Sequence, residues 1–382
     1  MKIKHIFSVF ITVVVIYSCF RGIKSVAASS LPLKTGFFHA GEMTMDKTYP
    51  LDSITTLANG DVLLTKGSEA ELYYAQKKKY KKLGTHEIMQ DVSTIALNDG
   101  RVLLIGRSVN PIGIKSINRY FFEEFNPHTQ KFKVLLQIDD FYFPTKNAIK
   151  LLNGNIFLQG NTEAYVYDVK ENKLSEKIQY YDPELRYFNE YETAIAMNDL
   201  GKVFIFGMGY CKKTDPEKVR KYVFKYDPDT NKITLHGKLQ VQRLGNIRAY
   251  TLNHNEIAVF GGKNNSGSEA QSITSYEIYD IYTGKSKLAG TFPLFINKFL
   301  RTELTYDGKI ITNMPYGTYK NTYKPYVFDM NMQIEESARG SYGTGIDIHN
   351  ASITRLTDGC YLYAGGYDQR GLDSKKTYKY CH

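Results

Sequence analysis

Two groups of residues in this 382-residue chain are of types suited to chemistry. The first is Asp52, Asp91, Lys146, Tyr191, Glu192, Arg248, Arg301, His349 and Asn350, each at the entrance to a short run of apolar residues. A carboxylate converging with a guanidinium serves acid–base work on an anionic sugar, the guanidinium anchoring the sugar's own carboxylate. Glu192 and Arg248 are the candidates for those two roles. The second group sits in polar, Tyr-bearing segments: Gly209-Tyr210-Cys211-Lys212-Lys213, Pro315-Tyr316-Gly317-Thr318-Tyr319-Lys320 and Gly366-Tyr367-Asp368-Gln369-Arg370. Aromatic rings beside amide and cationic groups stack on sugars and bond their hydroxyls or carboxylates. Tyr210, Tyr316, Tyr367 and Arg370, with Tyr191, Arg301, Lys146 and Asp91, are therefore the binding candidates. The same residues also read as solvated loops and mutually compensating charge. No Gly-rich phosphate loop, Cys-x-x-Cys pair or His-Glu-x-x-His run is present. No cofactor and no metal site is expected.

The elements that must position these residues repeat. Runs such as ALNDGRVLLIG (96–106), KLLNGNIFLQG (150–160), TLNHNEIAVFGG (251–262) and RLTDGCYLYAGG (355–366) each hold two apolar stretches around a turn. The turn residues are Gly60, Gly100, Gly154, Gly201, Asn255, Gly308 and Gly359, 40 to 54 residues apart. A matching segment follows most of them, as in YVFKYDPDTNKITL, where a third run ends in Tyr-Asp and a turn leads to an alternating fourth. Four short strands per unit at a period near fifty predict an all-β propeller. Seven blades are expected; six is the alternative if the short first copy (54–83) belongs to a neighbour. The last copy stops after its third strand, at Cys381-His382, whereas 34–43 resembles a lone fourth strand. The N-terminal strand is thus expected to complete the C-terminal blade, hiding two sheet edges.

These repeats resemble the bacterial form of the kelch repeat, over about 34–382. The diglycine of that pattern stands at Gly261-Gly262 and Gly365-Gly366 but is degraded in the other copies, and the Trp frequent on the fourth strand is absent. The resemblance implies a scaffold whose loops carry the function. It implies a propeller that binds a glycan or a protein through its loop-rich face, without catalysis. Exported kelch propellers that act as sialic-acid mutarotases give the alternative, an epimerase or mutarotase of an anionic sugar.

Composition is consistent with one globular unit: 42% apolar, 23% charged, with 31 Tyr and no Trp. The formal charge is +10, but residues 1–28 contribute Lys2, Lys4, Arg21 and Lys24 with no acid, leaving +6. Those residues have the basic start, apolar run (Ile6 to about Phe20) and small residues (Val26-Ala27-Ala28) of a secretory signal. Cleavage after Ala28, lipidation on Cys19 and an uncleaved membrane tether are the three readings. Each puts the domain, 29–382, outside the cytoplasm and disfavours nucleic acid as a partner; a monomer is expected. The run Lys77-Lys78-Lys79-Tyr80-Lys81-Lys82 reads as a solvated edge. Among the remaining cysteines, Cys360 fills the slot of Arg101 in another copy and Cys381 that of Asp227. In an antiparallel pair these slots face each other, so a Cys360–Cys381 disulfide is expected, with Cys211 left over.

Overall fold

The tight turns carry the repeat into three dimensions. At Leu57, Leu97, Leu151, Asn198, Leu252, Thr305 and Leu356 the backbone N–H donates to the carbonyl four residues on, at 2.7–3.0 Å. The six turn glycines have φ between 76° and 89°, a region that costs glycine nothing and an L side chain much more. Asn59, Asp99, Asn153 and Asp358 each accept the N–H two residues ahead at 3.0–3.1 Å, which explains the Asn or Asp before Gly. The second turn of each unit works similarly. Asp168, Asp227 and Asp280 accept N–H groups from Lys170, Asp229 and Tyr282, and the chain then passes through a left-handed residue, Asn172, Asn231 or Gly284.

The structure is a computed structural model that describes residues 36–45, 51–112, 115–139, 147–160, 163–180, 193–207, 221–264, 271–291, 301–305, 307–313, 327–329, 334–335, 350–368 and 372–381. Among these residues every regular element is a strand. The first is β1 (Gly36–Glu42); then come β2 (Ser53–Thr56), β3 (Val62–Lys66), β4 (Glu69–Tyr74) and β5 (Lys79–Lys82). The next copy gives β6 (Gln90–Ala96), β7 (Val102–Ile112), β8 (Lys115–Asn126) and β9 (Lys131–Asp139). The following one gives β10 (Ala148–Lys150), β11 (Ile156–Gln159), β12 (Glu163–Asp168), β13 (Lys173–Leu174) and β14 (Ile178–Gln179). Next are β15 (Ala194–Met197), β16 (Val203–Phe206), β17 (Tyr222–Asp227) and β18 (Lys232–Lys238), then β19 (Leu244–Thr251), β20 (Glu256–Lys263), β21 (Ser275–Asp280) and β22 (Lys285–Thr291). The series ends with β23 (Thr302–Leu304), β24 (Ile310–Thr312), β25 (Val327–Phe328), β26 (Ile334–Glu335), β27 (Ser352–Arg355), β28 (Tyr361–Ala364) and β29 (Lys376–Cys381).

These strands form five antiparallel sheets of four or five strands and one of eight, in a β-propeller-like arrangement. The eight-stranded sheet is two four-stranded units joined through their last strands, β18 and β22, by a single parallel bridge at Lys238 and Lys285. The join requires glycine: a Cβ on Gly237 would lie 2.0 Å from the Gly284 carbonyl oxygen. Strand β1 pairs with β29, Phe37 opposite Tyr380 and His39 opposite Tyr378. Strands β7 and β8 form the longest of the ladders, pairing out to Ile112 and Lys115.

The first strand of each unit touches that of the next. Ser53 and Thr94 hydroxyls join β2 to β6, and Lys150 Nζ donates to the Ala96 carbonyl, joining β10 to β6 (2.9 Å). Asn147 Nδ2 donates to Thr193 Oγ1 at 2.6 Å, Thr251 Oγ1 to the Met197 carbonyl at 2.8 Å, and the Tyr250 hydroxyl to the Thr302 carbonyl at 2.7 Å. Strand β23 lies against β27, and Thr56 Oγ1 donates to the Arg355 carbonyl at 2.5 Å. The core fills the spaces between units: Phe122 stacks on Tyr167 and Phe157 on Tyr226, with centroids 4.6 and 4.4 Å apart. Val62, Leu64 and Tyr73 share a cluster with Cys360, Leu362 and Cys381.

Buried carboxylates tie the connections between units. Glu71, Glu123 and Glu277 occupy one position on the third strands, and all are buried. Glu123 accepts the N–H of Glu87, which follows β5, at 3.1 Å. Glu277 accepts those of Gln240 and Val241, which follow β18, at 2.6 and 3.1 Å. Glu71 accepts that of Thr44 at 2.6 Å. Thr44 follows β1, so β1 stands to the first copy as β5 stands to the second.

Candidate functional site

The strands that touch one another at the centre differ sharply in chemistry. Between β2 and β6 the side chains are hydroxyls bonded among themselves, Ser53 and Thr55 both to Thr94. Around β19, β23 and β27 they are charged: Arg248 and Tyr250 on β19, Arg301 immediately before β23, Glu303 within it, and Arg355 at the end of β27. The alternation of a strand explains the grouping, since residues two apart share a face. Arg248 and Tyr250 face β23, as the Tyr250 bond to Thr302 requires. Glu303 holds the place on β23 that Tyr250 holds on β19, counted back from the equivalent turn residues Thr305 and Leu252. It is presented in the same way toward β27 and Arg355.

Electrostatics reflect this proximity. Burial lowers the Arg248 pKa; the Tyr250 hydroxyl opposes that shift and Arg301 reinforces it. Burial raises the Tyr250 phenol to about 12, helped by Glu303. Glu303 is pushed up to about 7 by burial, with Arg355 pulling the other way. Part of the surface of Arg248, Glu303 and Arg355 remains accessible, and Arg301 is exposed. The arrangement is therefore desolvated but open: three guanidiniums, one phenol and one carboxyl that changes charge near neutrality. Such a surface suits an oxyanion, because guanidinium binds carboxylate through paired, charge-assisted hydrogen bonds.

The site is layered along the strands. Arg248 and Arg301 lie four residues before their turn residues, whereas Tyr250 and Glu303 lie two before and Arg355 one before. At ~3.3 Å per residue the two arginines stand roughly 7 Å from the Glu303 level, toward the end where the connections between units arrive.

Of the residues expected from sequence, the structure brings Arg248 and Arg301 together. Tyr367 is half-buried and its backbone bridges to Asp373, in the segment between β28 and β29. Asp91 lies in β6, its side chain outside the described residues. Lys146, Tyr191, Glu192, Tyr210, Tyr316 and Arg370 also lie outside them. Asp52 has a structural role, accepting the Gly67 N–H at 2.7 Å and pairing with Lys66 at 3.7 Å. Sequence reasoning missed Glu303, Arg355 and Tyr250. The available signal was the Tyr250/Glu303 equivalence, two residues before the turn, where the other copies place Thr, Ile or Ala. Just past their turns, Arg101 pairs with Asp99 and Glu124, and Lys202 with Asp227 at 2.5 Å, so these cations serve the scaffold. The expected disulfide, Cys360–Cys381, is present. Among the described residues no group of three or more His, Cys, Asp or Glu is arranged to hold a metal ion. No protein-family model and no curated protein matches this chain.

Proposed function

We propose that this chain is an extracytoplasmic kelch-type propeller of seven blades, the last completed by β1, that binds an acidic glycan entering from the loop-rich face. The observation carrying the ligand class is the set of three arginines on or beside the inner strands β19, β23 and β27, Arg248 within electrostatic reach of Arg301 and Arg355 within that of Glu303. The blade number is supported by seven equivalent turns and by contacts between successive inner strands that return from β27 to β2. Export is supported by the basic–apolar–small pattern of 1–28 and by the disulfide, which persists in oxidising compartments. Tyr210, Tyr316, Tyr367 and Arg370 are proposed to hold the rest of the glycan, or a protein that carries it. The test is calorimetric titration with N-acetylneuraminate and glucuronate against neutral glucose and N-acetylglucosamine. The acidic sugars are expected to bind and the neutral ones not. Arg248→Gln is expected to weaken binding about 30-fold or more, since truncating one partner of a desolvated charge pair costs roughly 2 kcal/mol or more. Equal binding of acidic and neutral sugars, or an unaffected variant, rejects the reading.

The second reading, a mutarotase or epimerase, is favoured by one observation: a carboxyl near pKa 7 beside arginines can both give and take a proton at neutral pH. Glu303 then stands where sequence reasoning had put Glu192. Faster anomeric exchange of a bound acidic sugar, lost in Glu303→Gln, would establish it over simple binding.

A further inference from the structure

We propose that the outer edge of the first unit, β5 with the turn before it, is a docking strip for a linear phosphate polymer, held by Lys77, Lys78, Lys79 and Lys81. The inference is independent of the acidic-glycan reading. It concerns the outermost strand of its sheet, at the opposite end from the inner strand β2.

The turn into β5 departs from its equivalents. Four residues before the left-handed position the later units place Asp168, Asp227 and Asp280, and the second unit Asn126; the first unit has Tyr74 there. No acid stands between Glu71 and Glu87, whereas Lys77, Lys78, Lys79, Lys81 and Lys82 do, all exposed. The left-handed position itself holds Asn172, Asn231 or Gly284 in the later units but Lys78 here, at φ 51°. Lysine is disfavoured in that region, where Gly and Asn are the usual residues. Gln130, its equivalent in the second unit, bonds Lys81 and the Tyr74 hydroxyl through its side-chain amide. Among the described residues the Lys78 side chain makes no such bond, so the strain is kept for the charge it presents. Lysines on an edge strand also discourage pairing between sheets, but Lys77 and Lys78 lie in the turn, where there is no ladder to guard.

The shape of the charge selects the partner. Lys79 and Lys81 share one face of β5, ~7 Å apart. The strip runs on to the second unit, where Lys131 and Lys133 are exposed just after the Gln130 that bonds Lys81. On the other side β1 passes the turn so closely that a Cβ on Gly41 would lie 3.0 Å from the Lys78 carbonyl oxygen. Glu42 follows Gly41 on that side, and Glu69 pairs with Lys82 at 3.0 Å. The positive charge is thus a line bordered by acids, which fits a thread better than a plane. The run holds no Arg, unlike the inner strands. Lysine meets phosphate as a rotatable point charge, without the fork that matches a planar carboxylate. Neither ring in the segment is offered to a base: Tyr80 packs on Tyr73 with centroids 4.8 Å apart, and Lys77 lies over Tyr74 at 5.6 Å. The strip therefore reads phosphate charge and not sequence.

The experiment measures binding of the full chain to fluorescently labelled inorganic polyphosphate, with polygalacturonate and phosphatidylglycerol vesicles as competitors. At ~0.7 counterion released per phosphate contact, four lysines predict a roughly 50-fold loss of affinity between about 50 and 200 mM salt. Lys78→Asn with Lys79→Gln and Lys81→Gln should weaken binding at the lower salt at least about tenfold and flatten most of the salt dependence. Lys78→Asn alone should weaken binding about two- to fivefold without lowering the thermal midpoint, because Asn suits the left-handed position; the lost affinity is then not lost folding. Absence of polyphosphate binding at the lower salt, or a triple variant that binds as the native protein does, would overturn the proposal. Equal competition by polygalacturonate would overturn the phosphate assignment, and stronger competition by the vesicles, lost in the triple variant, would make the partner a bilayer instead.

Discussion

Glu277→Leu is expected to lower the unfolding free energy by ~3–5 kcal/mol, the range for removing one member of a buried ion pair. Glu277 and Arg243 are both fully buried, with Nη2 and Oε1 3.1 Å apart. The carboxylate also accepts from Arg243 Nε at 3.2 Å, from the Gln240 and Val241 N–H groups, and from the Ser286 hydroxyl at 2.5 Å. Leucine removes every one of these acceptors at once. It strands the guanidinium, whose remaining described partner is the Gly261 carbonyl, and the Val241 N–H on the connection after β18, while the Gln240 N–H keeps the Ser286 hydroxyl at 3.0 Å. The effect is dominated by what is left unpaired rather than by the attraction lost, so Arg243→Met combined with Glu277→Leu is expected to cost less than Glu277→Leu alone. Urea denaturation of the three variants checks both statements. The exposed pair of Lys82 and Glu69 is the contrast: breaking it should cost under ~1 kcal/mol.

Opening the Cys360–Cys381 bond is expected to cost ~3 kcal/mol, the loop-entropy value for a closed segment of about twenty residues. The bond joins the start of β28 to the last residue of β29, and β29 is the strand on which β1 is laid, Gly36 opposite Cys381. Its loss therefore acts where the first and last described strands pair. Cys360→Ser with Cys381→Ser should lower the thermal midpoint and raise amide exchange in β1 and β29 before the other strands. A uniform rise in exchange across all sheets would show that the bond stabilises the chain without any special hold on that pair.

The repeat was legible because its signals are local. A left-handed turn residue calls for Gly whatever lies around it, and the Asp of Tyr-Asp bonds N–H groups within three residues. The disulfide was legible for the same reason, since slot positions within one hairpin fix which residues face each other. The carboxylates on the third strands were not. Their position holds Glu in three copies but Tyr165, Phe224 and Tyr378 in others, because either an acceptor or a packed ring satisfies the site, depending on the connection it meets. The proposed binding cluster was half legible. Arg248 and Arg301 stand at strand entrances that the repeat marks out. Glu303 and Arg355 lie within strands where any residue type is tolerated, and only the apposition of β23 with β27 gives them a shared surroundings. Chemistry made between non-consecutive strands is invisible until the strands are placed.

The claim beneath all of this is that the first and last copies are neighbours in one closed ring. The Thr56 and Thr354 hydroxyl oxygens lie 3.2 Å apart across nearly the whole chain. In a Cys211→Ser background, Thr56→Cys with Thr354→Cys should form a second disulfide under mild oxidation, seen by mass spectrometry as linked peptides and by faster migration on a non-reducing gel. Recovery of both introduced cysteines as free, alkylated thiols in the folded protein would contradict the closed ring.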